Sequence, residues 1–202
     1  MQWTKKVEEA LERSRLQEKM QEIEKVKKYI MQVMGTLIEL CLSDLKGGKL
    51  ERTKVETLVT IHVHQRDVVF DEIATLVKAG IIKDEKHFDW CRNTRIYWKP
   101  PKKGAQIPNV VIEITDVEFT YSYEYLGAKE RLCITQLTDR CYVTLAQALG
   151  MFYGGAPAGP AGTGKTETVK DLGRTLGIMV VVTNCSPEQG FRDMANIFKG
   201  LC

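Results

Sequence analysis

The sequence lacks any strong imbalance of charge: 29 Lys and Arg against 26 Asp and Glu leave a formal net charge of +3. Electrostatic binding to a phosphate backbone normally shows as a clustered basic face or stripe. The basic residues here are dispersed, so no nucleic-acid partner is expected. Close cysteine pairs are also lacking. Cys41, Cys91, Cys133, Cys141, Cys185 and Cys202 are scattered without the C-x-x-C spacing of zinc or redox motifs and read as reduced intracellular thiols. No apolar run approaches the roughly 18 to 20 residues that a bilayer-spanning helix needs, so no membrane partner is expected. Met1-Gln2-Trp3-Thr4-Lys5-Lys6 leads into a charged helix rather than a signal peptide. Together these point to the cytoplasm or cytoskeleton.

What is present is ordinary globular composition, 44% hydrophobic and 27% charged over 202 residues, enough for one sizeable core or two small ones. From Val7 to about Cys41, Leu16, Met20, Ile23, Val26, Ile30, Val33 and Leu37 recur at spacings of three and four. That predicts an amphipathic helix, or two in line, packed in a helical domain rather than a coiled coil, because no clean heptad is sustained. Gly47-Gly48 breaks the pattern, and a second helix is expected over Arg52–Val77 with Gly80 as its stop.

After Gly80 the period changes. Arg95–Lys99 and Val110–Ile114 read as paired strands, separated by the turn-rich Pro100–Gly104. Val117, Phe119, Tyr121, Tyr123 and Tyr125 alternate with polar residues, with a turn or bulge at Thr115-Asp116. Gly127 closes this region, and a domain boundary is expected between Gly127 and Ile134. Beyond it come a helix over Arg140–Leu149 capped by Thr138 or Asp139, a Gly-rich loop from Gly154 to Gly164, a helix over Lys165–Leu176, a buried-type strand Ile178–Val182 and a helix Gly190–Leu201.

The loop carries the chemistry. Gly159-Pro160-Ala161-Gly162-Thr163-Gly164-Lys165-Thr166 is a complete Walker A pattern. Its glycines let successive backbone N–H groups turn toward phosphate oxygens at a helix N-terminus. Lys165 would meet the β and γ phosphates, and the Thr166 hydroxyl would ligate Mg²⁺. ATP with Mg²⁺ is therefore the expected ligand, with Lys165 and Thr166 as the catalytic candidates and Thr166 as the metal ligand. A phosphate loop normally follows a hydrophobic strand; Gly154-Gly155-Ala156-Pro157-Ala158 offers only a short, small-residued one. Hydrolysis also needs a Walker B acidic residue at the end of another strand, and the one apolar strand after the loop ends in Thr183-Asn184-Cys185. Glu167 and Asp171 lie on the helix after the loop, where a solvent-facing charged surface is their commoner role.

Other constellations are weaker. His62 and His64 would share a face only on a strand and fall on an expected helix, which argues against metal ligation. Trp90, Tyr97 and Trp98 beside Lys99 and Lys102 could suggest base stacking, but strand alternation explains them as core. Cys141 reads as a buried small residue, since nothing supports a Cys-His pair.

Leu137-Thr138-Asp139-Arg140-Cys141-Tyr142, followed by the run from Gly154 through the Walker loop to Gly173, resembles the first AAA+ module of dynein heavy chains. The likeness continues upstream in Tyr123-Glu124-Tyr125-Leu126-Gly127 and Val63-His64-Gln65-Arg66-Asp67-Val68, which look like the end of the dynein linker, and downstream in Asn184-Cys185-Ser186 and Ile197-Phe198-Lys199-Gly200-Leu201. The wording is closer to an axonemal, outer-arm chain than to a cytoplasmic one. Gln136 stands where the family usually has proline, and Ser186–Gly190 departs from the family's usual stretch.

The resemblance implies an α+β linker end of helices and a small antiparallel sheet over 1–127, then an incomplete α/β P-loop AAA+ domain over 128–202, ending before Walker B. It implies ATP binding at Gly159–Thr166 with Leu137 and Thr138 near the adenine, coupled to linker movement in a minus-end-directed microtubule motor of cilia. The remainder of the heavy-chain ring, and through it intermediate chains, light chains and microtubules, would be the partners, and the axoneme the location. Without Walker B, sensor or arginine finger, the chain is expected to be a motor fragment inactive alone. A non-catalytic interaction module with a vestigial loop is the alternative; a small P-loop kinase would need an acceptor site and a lid, and neither is visible.

Overall fold

The structure, a computed structural model, describes residues 1–43, 48–101 and 109–201. It is helical, with one small antiparallel sheet. Gly47, Lys102, Lys103, Gly104 and Cys202, which figure in the sequence reading, lie outside the described residues.

The N-terminal apolar stripe forms two helices, α1 over Gln2–Leu11 and α2 over Leu16–Leu42. Each faces the other with its periodic residues: Val7, Ala10 and Leu11 on α1, and Ile23, Val26 and Ile30 on α2, are all buried. Each of the Val, Leu and Ile side chains among them contributes about 1.5 to 3 kcal/mol by leaving water. The second helical stretch begins at Gly48 rather than Arg52. It runs as α3 over Gly48–Asp67, widens into a π-helical segment over Val68–Ile73, and ends as α4 over Ala74–Lys78. The π segment turns Val68, Val69 and Ile73 inward against α1 and α2. Gly80, at φ 72°, ends the helix, where the Ile81 N–H bonds the Leu76 carbonyl at 2.9 Å. A one-turn helix that periodicity could not resolve, α5 over Phe88–Cys91, places Trp90 in this core with its ring 5.1 Å from that of Trp3.

Strands β1 (Arg95–Lys99), β2 (Asn109–Ile114) and β3 (Val117–Thr120) form an antiparallel sheet in that order. The pairing Ile114↔Val117 makes Thr115-Asp116 a two-residue turn, not a bulge. Alternation does not carry β3 through to Tyr125. After Thr120 the chain leaves the ladder, Tyr123 adopts φ 58°, and Tyr125 is almost fully exposed. Trp98 is 60% exposed, so the expectation that all three aromatics are core fails there: Trp98 lies next to the end of the edge strand β1, where its face of the sheet is uncovered. Tyr97 is tied to α1 instead, its hydroxyl donating to Glu8 at 2.5 Å.

Helix α6 spans Gln136–Gly150, one turn earlier than expected, and its N-cap is Thr135 rather than Thr138 or Asp139. Thr135 and Thr138 form a reciprocal capping box: the Thr135 side chain accepts from the Thr138 N–H, and the Thr138 hydroxyl accepts from the Thr135 N–H at 2.7 Å. Helix α7 spans Lys165–Leu176, and α8 spans Phe191–Leu201. The strand expected over Ile178–Val182 does not form. Those residues lack regular secondary structure and are 36 to 57% exposed, because among the described residues no strand lies beside them to accept their hydrogen bonds. The short strand before the Gly-rich loop is likewise absent among the described residues.

Two apolar clusters result. One joins α1, α2, the π segment, α4 and α5. The other joins Ile112 and Ile114 of the sheet with Tyr142, Leu145 and Ala146 of α6 and Leu172 and Leu176 of α7. The sheet therefore shares its core with the helices on either side of the Gly-rich loop.

Candidate functional site

The loop from Gly159 to Gly164 is exposed and leads directly into α7. Gly162 and Gly164 take φ of 78° and 79°, a region closed to most side chains. Gly164 is the N-cap of α7 and no side chain caps that end, so the first-turn N–H groups and the positive end of the helix dipole face the loop. Lys165 folds back over the loop. Its ammonium donates to the Gly159 carbonyl at 2.8 Å and to the Pro160 carbonyl, with Thr163 Oγ1 3.4 Å away. Thr163 in turn donates to the Pro160 carbonyl at 3.0 Å. The loop thus fixes where the one cation of the sequence motif sits. Thr166, on the first turn of α7, is exposed beside it.

Leu137 and Thr138 are placed differently from one another. Leu137, 68% exposed, lines a cavity of about 200 Å³ with Arg140, Cys141 and Thr144 of α6 and with Ala156 and Pro157 just before the loop. Thr138 does not line it; its hydroxyl is spent in the capping box. Cys141 is half-buried on this wall. The approach of the two walls is set at Gly155, where a Cβ would fall 2.2 Å from a Leu145 methyl.

Asp171 corrects the sequence reading. It is fully buried, not part of a solvent-facing charged surface. Arg131 donates to both its oxygens, at 2.7 and 3.0 Å, the Leu132 N–H donates at 3.1 Å, and the Tyr142 hydroxyl donates at 2.5 Å. Burial alone would push the Asp171 carboxyl up, but the Arg131 bonds outweigh it and hold the group below the ordinary aspartate range. Burial first, and then the bond to the same carboxylate, drives the Tyr142 hydroxyl well above the ordinary tyrosine range. Arg131 also donates to Thr175 at 2.7 Å. One buried carboxylate therefore locks α7, α6 and the segment around Arg131 together. Arg131 lies outside every motif and Tyr142 only closes the run Leu137–Tyr142; the visible signal was the 3.6-period position of Asp171 on the inner face of α7, beside Thr168 and Leu172. Glu167, by contrast, is exposed and paired with Lys170 at 2.7 Å, as a surface role requires.

The C-terminal end of α7 is held as tightly. The Ser122 N–H bonds the Leu176 carbonyl and the Glu124 N–H bonds the Gly177 carbonyl, both at 3.0 Å, and the Glu124 carboxylate accepts from the Met179 N–H at 2.5 Å. His62 and His64 lie on α3, and among the described residues no group of three or more His, Cys, Asp and Glu side chains could hold a metal ion.

Residues 121–202 match the family model described as the hydrolytic ATP binding site of dynein motor region. The whole chain aligns with dynein axonemal heavy chain 5 of Rattus norvegicus, 49% identical over 201 residues, and with dynein axonemal heavy chain 8 of Homo sapiens, 51% identical over 201 residues. The chain is a homologue of axonemal dynein heavy chains. A third relative, the dynein gamma chain of the flagellar outer arm of Chlamydomonas reinhardtii, is 47% identical over 202 residues and aligns with 99% of the chain. The first two alignments take in 100% of the chain but only 5% and 4% of the dynein relatives, and the third 4%. The chain therefore spans about a twentieth of the length of these heavy chains. Within it, the dynein ATP-binding match begins at Tyr121 and includes the Arg131–Asp171 pair as well as the loop.

Proposed function

We propose that this chain supplies the ATP-binding segment of an axonemal dynein motor, with the triphosphate held by Gly159 to Thr166. The observation that carries the reading is the uncapped N-terminus of α7 behind a glycine loop that positions Lys165. Backbone N–H groups of Gly162, Thr163 and Gly164, with Ala161 between the loop's turns, would cradle phosphate oxygens, and Lys165 would exchange its carbonyl partners for the β and γ phosphates. Thr166 would ligate Mg²⁺, which when bound neutralises charge between those phosphates. Leu137 would flank the base from the α6 side, with Thr138 acting only through the helix cap.

In this reading residues 1–127 are the C-terminal part of the linker and 128–202 the start of the first AAA+ module. The buried junction between the sheet, α6 and α7 would carry nucleotide-dependent changes to the helical layer, moving the linker of a minus-end-directed motor along axonemal microtubules. The rest of the heavy chain is the first partner; intermediate and light chains and microtubules follow through it. Calorimetric titration of the chain with Mg·ATP tests the core of the proposal. Saturable binding lost in Lys165→Ala is expected, and equal affinity in wild type and Lys165→Ala would overturn it.

A further inference from the structure

Between the helical layer and α7 lies a cavity of about 100 Å³ whose walls come from both. Trp3 and Gln65 contribute from α1 and α3, Thr94 from just before β1, and Arg131 and Thr175 from the opposite side. Trp3 is 6% exposed, yet its indole N–H has no hydrogen-bond partner, and neither has the buried Gln65 Oε1. A buried donor without a partner costs about 1 to 3 kcal/mol, and native interiors rarely tolerate two such groups on one small cavity. Two of the other polar walls are already committed: Arg131 to Asp171 and Thr175, and the Thr175 hydroxyl to the Asp171 carbonyl at 2.9 Å. Among the described residues, neither Trp3 Nε1 nor Gln65 Oε1 has a hydrogen-bond partner, and Arg131 and Thr175 could turn to them only by loosening the lock on α7.

The dimensions and chemistry define the ligand. At about 30 Å³ per molecule, the space holds about three waters, and a buried water needs two to four polar partners. The cavity offers a donor at Trp3, an amide at Gln65, the Thr94 hydroxyl and the imidazole of His64. Its one guanidinium is paired in charge with Asp171. That selects a small neutral hydrogen-bonding ligand over an ion. We propose that this cavity binds a cluster of about three long-lived waters that pairs Trp3 and Gln65 and forms a wet seam between the helical layer and α7. A wet seam differs from a packed one in its response to displacement. Bridging waters re-form their bonds when the walls shift, whereas interlocked side chains must leave their rotamers.

The indole protons of a ¹⁵N-labelled chain read this directly. Trp98→Phe identifies the exposed indole, and Glu8→Gln shifts that of Trp90, which bonds Glu8 at 3.3 Å, so the third resonance is Trp3 without altering it. A water cross-peak at the Trp3 indole, with the negative Overhauser sign of a slowly exchanging water, is the expected result. No cross-peak, or the positive sign of surface water, would overturn the proposal. Xenon gives a second reading, since it enters dry apolar cavities. The Ile61 and Ile96 methyls on the cavity wall should keep their shifts under xenon, and xenon-induced shifts there would show a dry cavity and sink the idea.

Discussion

Arg131 grips Asp171 through two parallel N–H···O bonds of 2.7 and 3.0 Å, joining residues forty positions apart across the segment that leads into α6. The pair sits where three elements meet, and the Tyr142 hydroxyl and the Leu132 N–H complete the carboxylate's bonding. Its geometry makes it the mechanical link between the phosphate loop helix and the chain before it.

Removing one side of a buried ion pair leaves the other charge uncompensated, which costs about 3 to 5 kcal/mol. Asp171→Ala should therefore lower unfolding stability by about 3 kcal/mol, measured by urea denaturation. Asp171→Asn, which keeps acceptor capacity but loses the charge, should cost less than the alanine variant. Equal midpoints for wild type and Asp171→Ala would show that Arg131 finds another partner.

The same network sets the pH limits. The Asp171 carboxyl is held below its ordinary range when folded, so its contribution is complete above about pH 4 and is lost as pH falls through the folded value. Tyr142 is raised when folded, so its contribution is complete below about pH 10 and is lost as pH climbs further. Tyr142→Phe should flatten the alkaline limb of the stability profile and leave the acid limb in place.

Periodicity located α1, α2, α7 and the hairpin because each buries one regular face, as Ile23, Val26 and Ile30 do on α2. It could not show the break at 12–15 or the π segment, where tertiary packing of Val68, Val69 and Ile73 overrides the 3.6 repeat. The Walker loop was legible as a motif because it is local in sequence. The Arg131–Asp171–Tyr142 lock was not, since its members are brought together only by the fold. Ile178–Val182 reads as strand by composition, and composition alone cannot supply the neighbouring strand that would pair with it.

Helix α6 begins on the Thr135–Thr138 capping box, which satisfies donors at the end that carries Leu137. Thr135→Ala should cost about 1 kcal/mol and fray the first turn. If Leu137 flanks the base, the same variant should weaken Mg·ATP binding while leaving inorganic triphosphate binding unchanged. Parallel titrations separate the two effects, and equal weakening of both ligands would count against a base contact at this helix end.

Gly177 ends α7 at φ 70°, and a Cβ there would fall 2.6 Å from the Tyr121 ring. Both the left-handed backbone, which costs an ordinary residue about 1 to 2 kcal/mol, and the contact oppose a side chain. Gly177→Ala should destabilise by about 2 kcal/mol or more. In Tyr121→Ala the contact vanishes and only the backbone term remains, so the double variant should lose less than the sum of the singles, measured as a double-mutant cycle.

The apolar run Ile178–Val182 is exposed along its whole length, from 36% at Val180 to 57% at Met179. An exposed hydrophobic segment outside any sheet, of this composition, is a template for intermolecular strand pairing. The 202-residue chain should therefore self-associate as its concentration rises, visible by light scattering. Its residues are not equivalent. Val180 packs against Gly173 of α7, where a Cβ would fall 2.2 Å from the Val180 Cγ2, whereas Val181 is half exposed. Val181→Lys should suppress association with no change in unfolding midpoint, because a charge in a segment that pairs between molecules blocks that pairing without removing a packed contact. Val180→Lys should lower the midpoint by pulling the segment off α7. If Val181→Lys associates as strongly as wild type, the adhesive surface lies elsewhere, and the exposed Phe191 and Phe198 of α8 become the next residues to change.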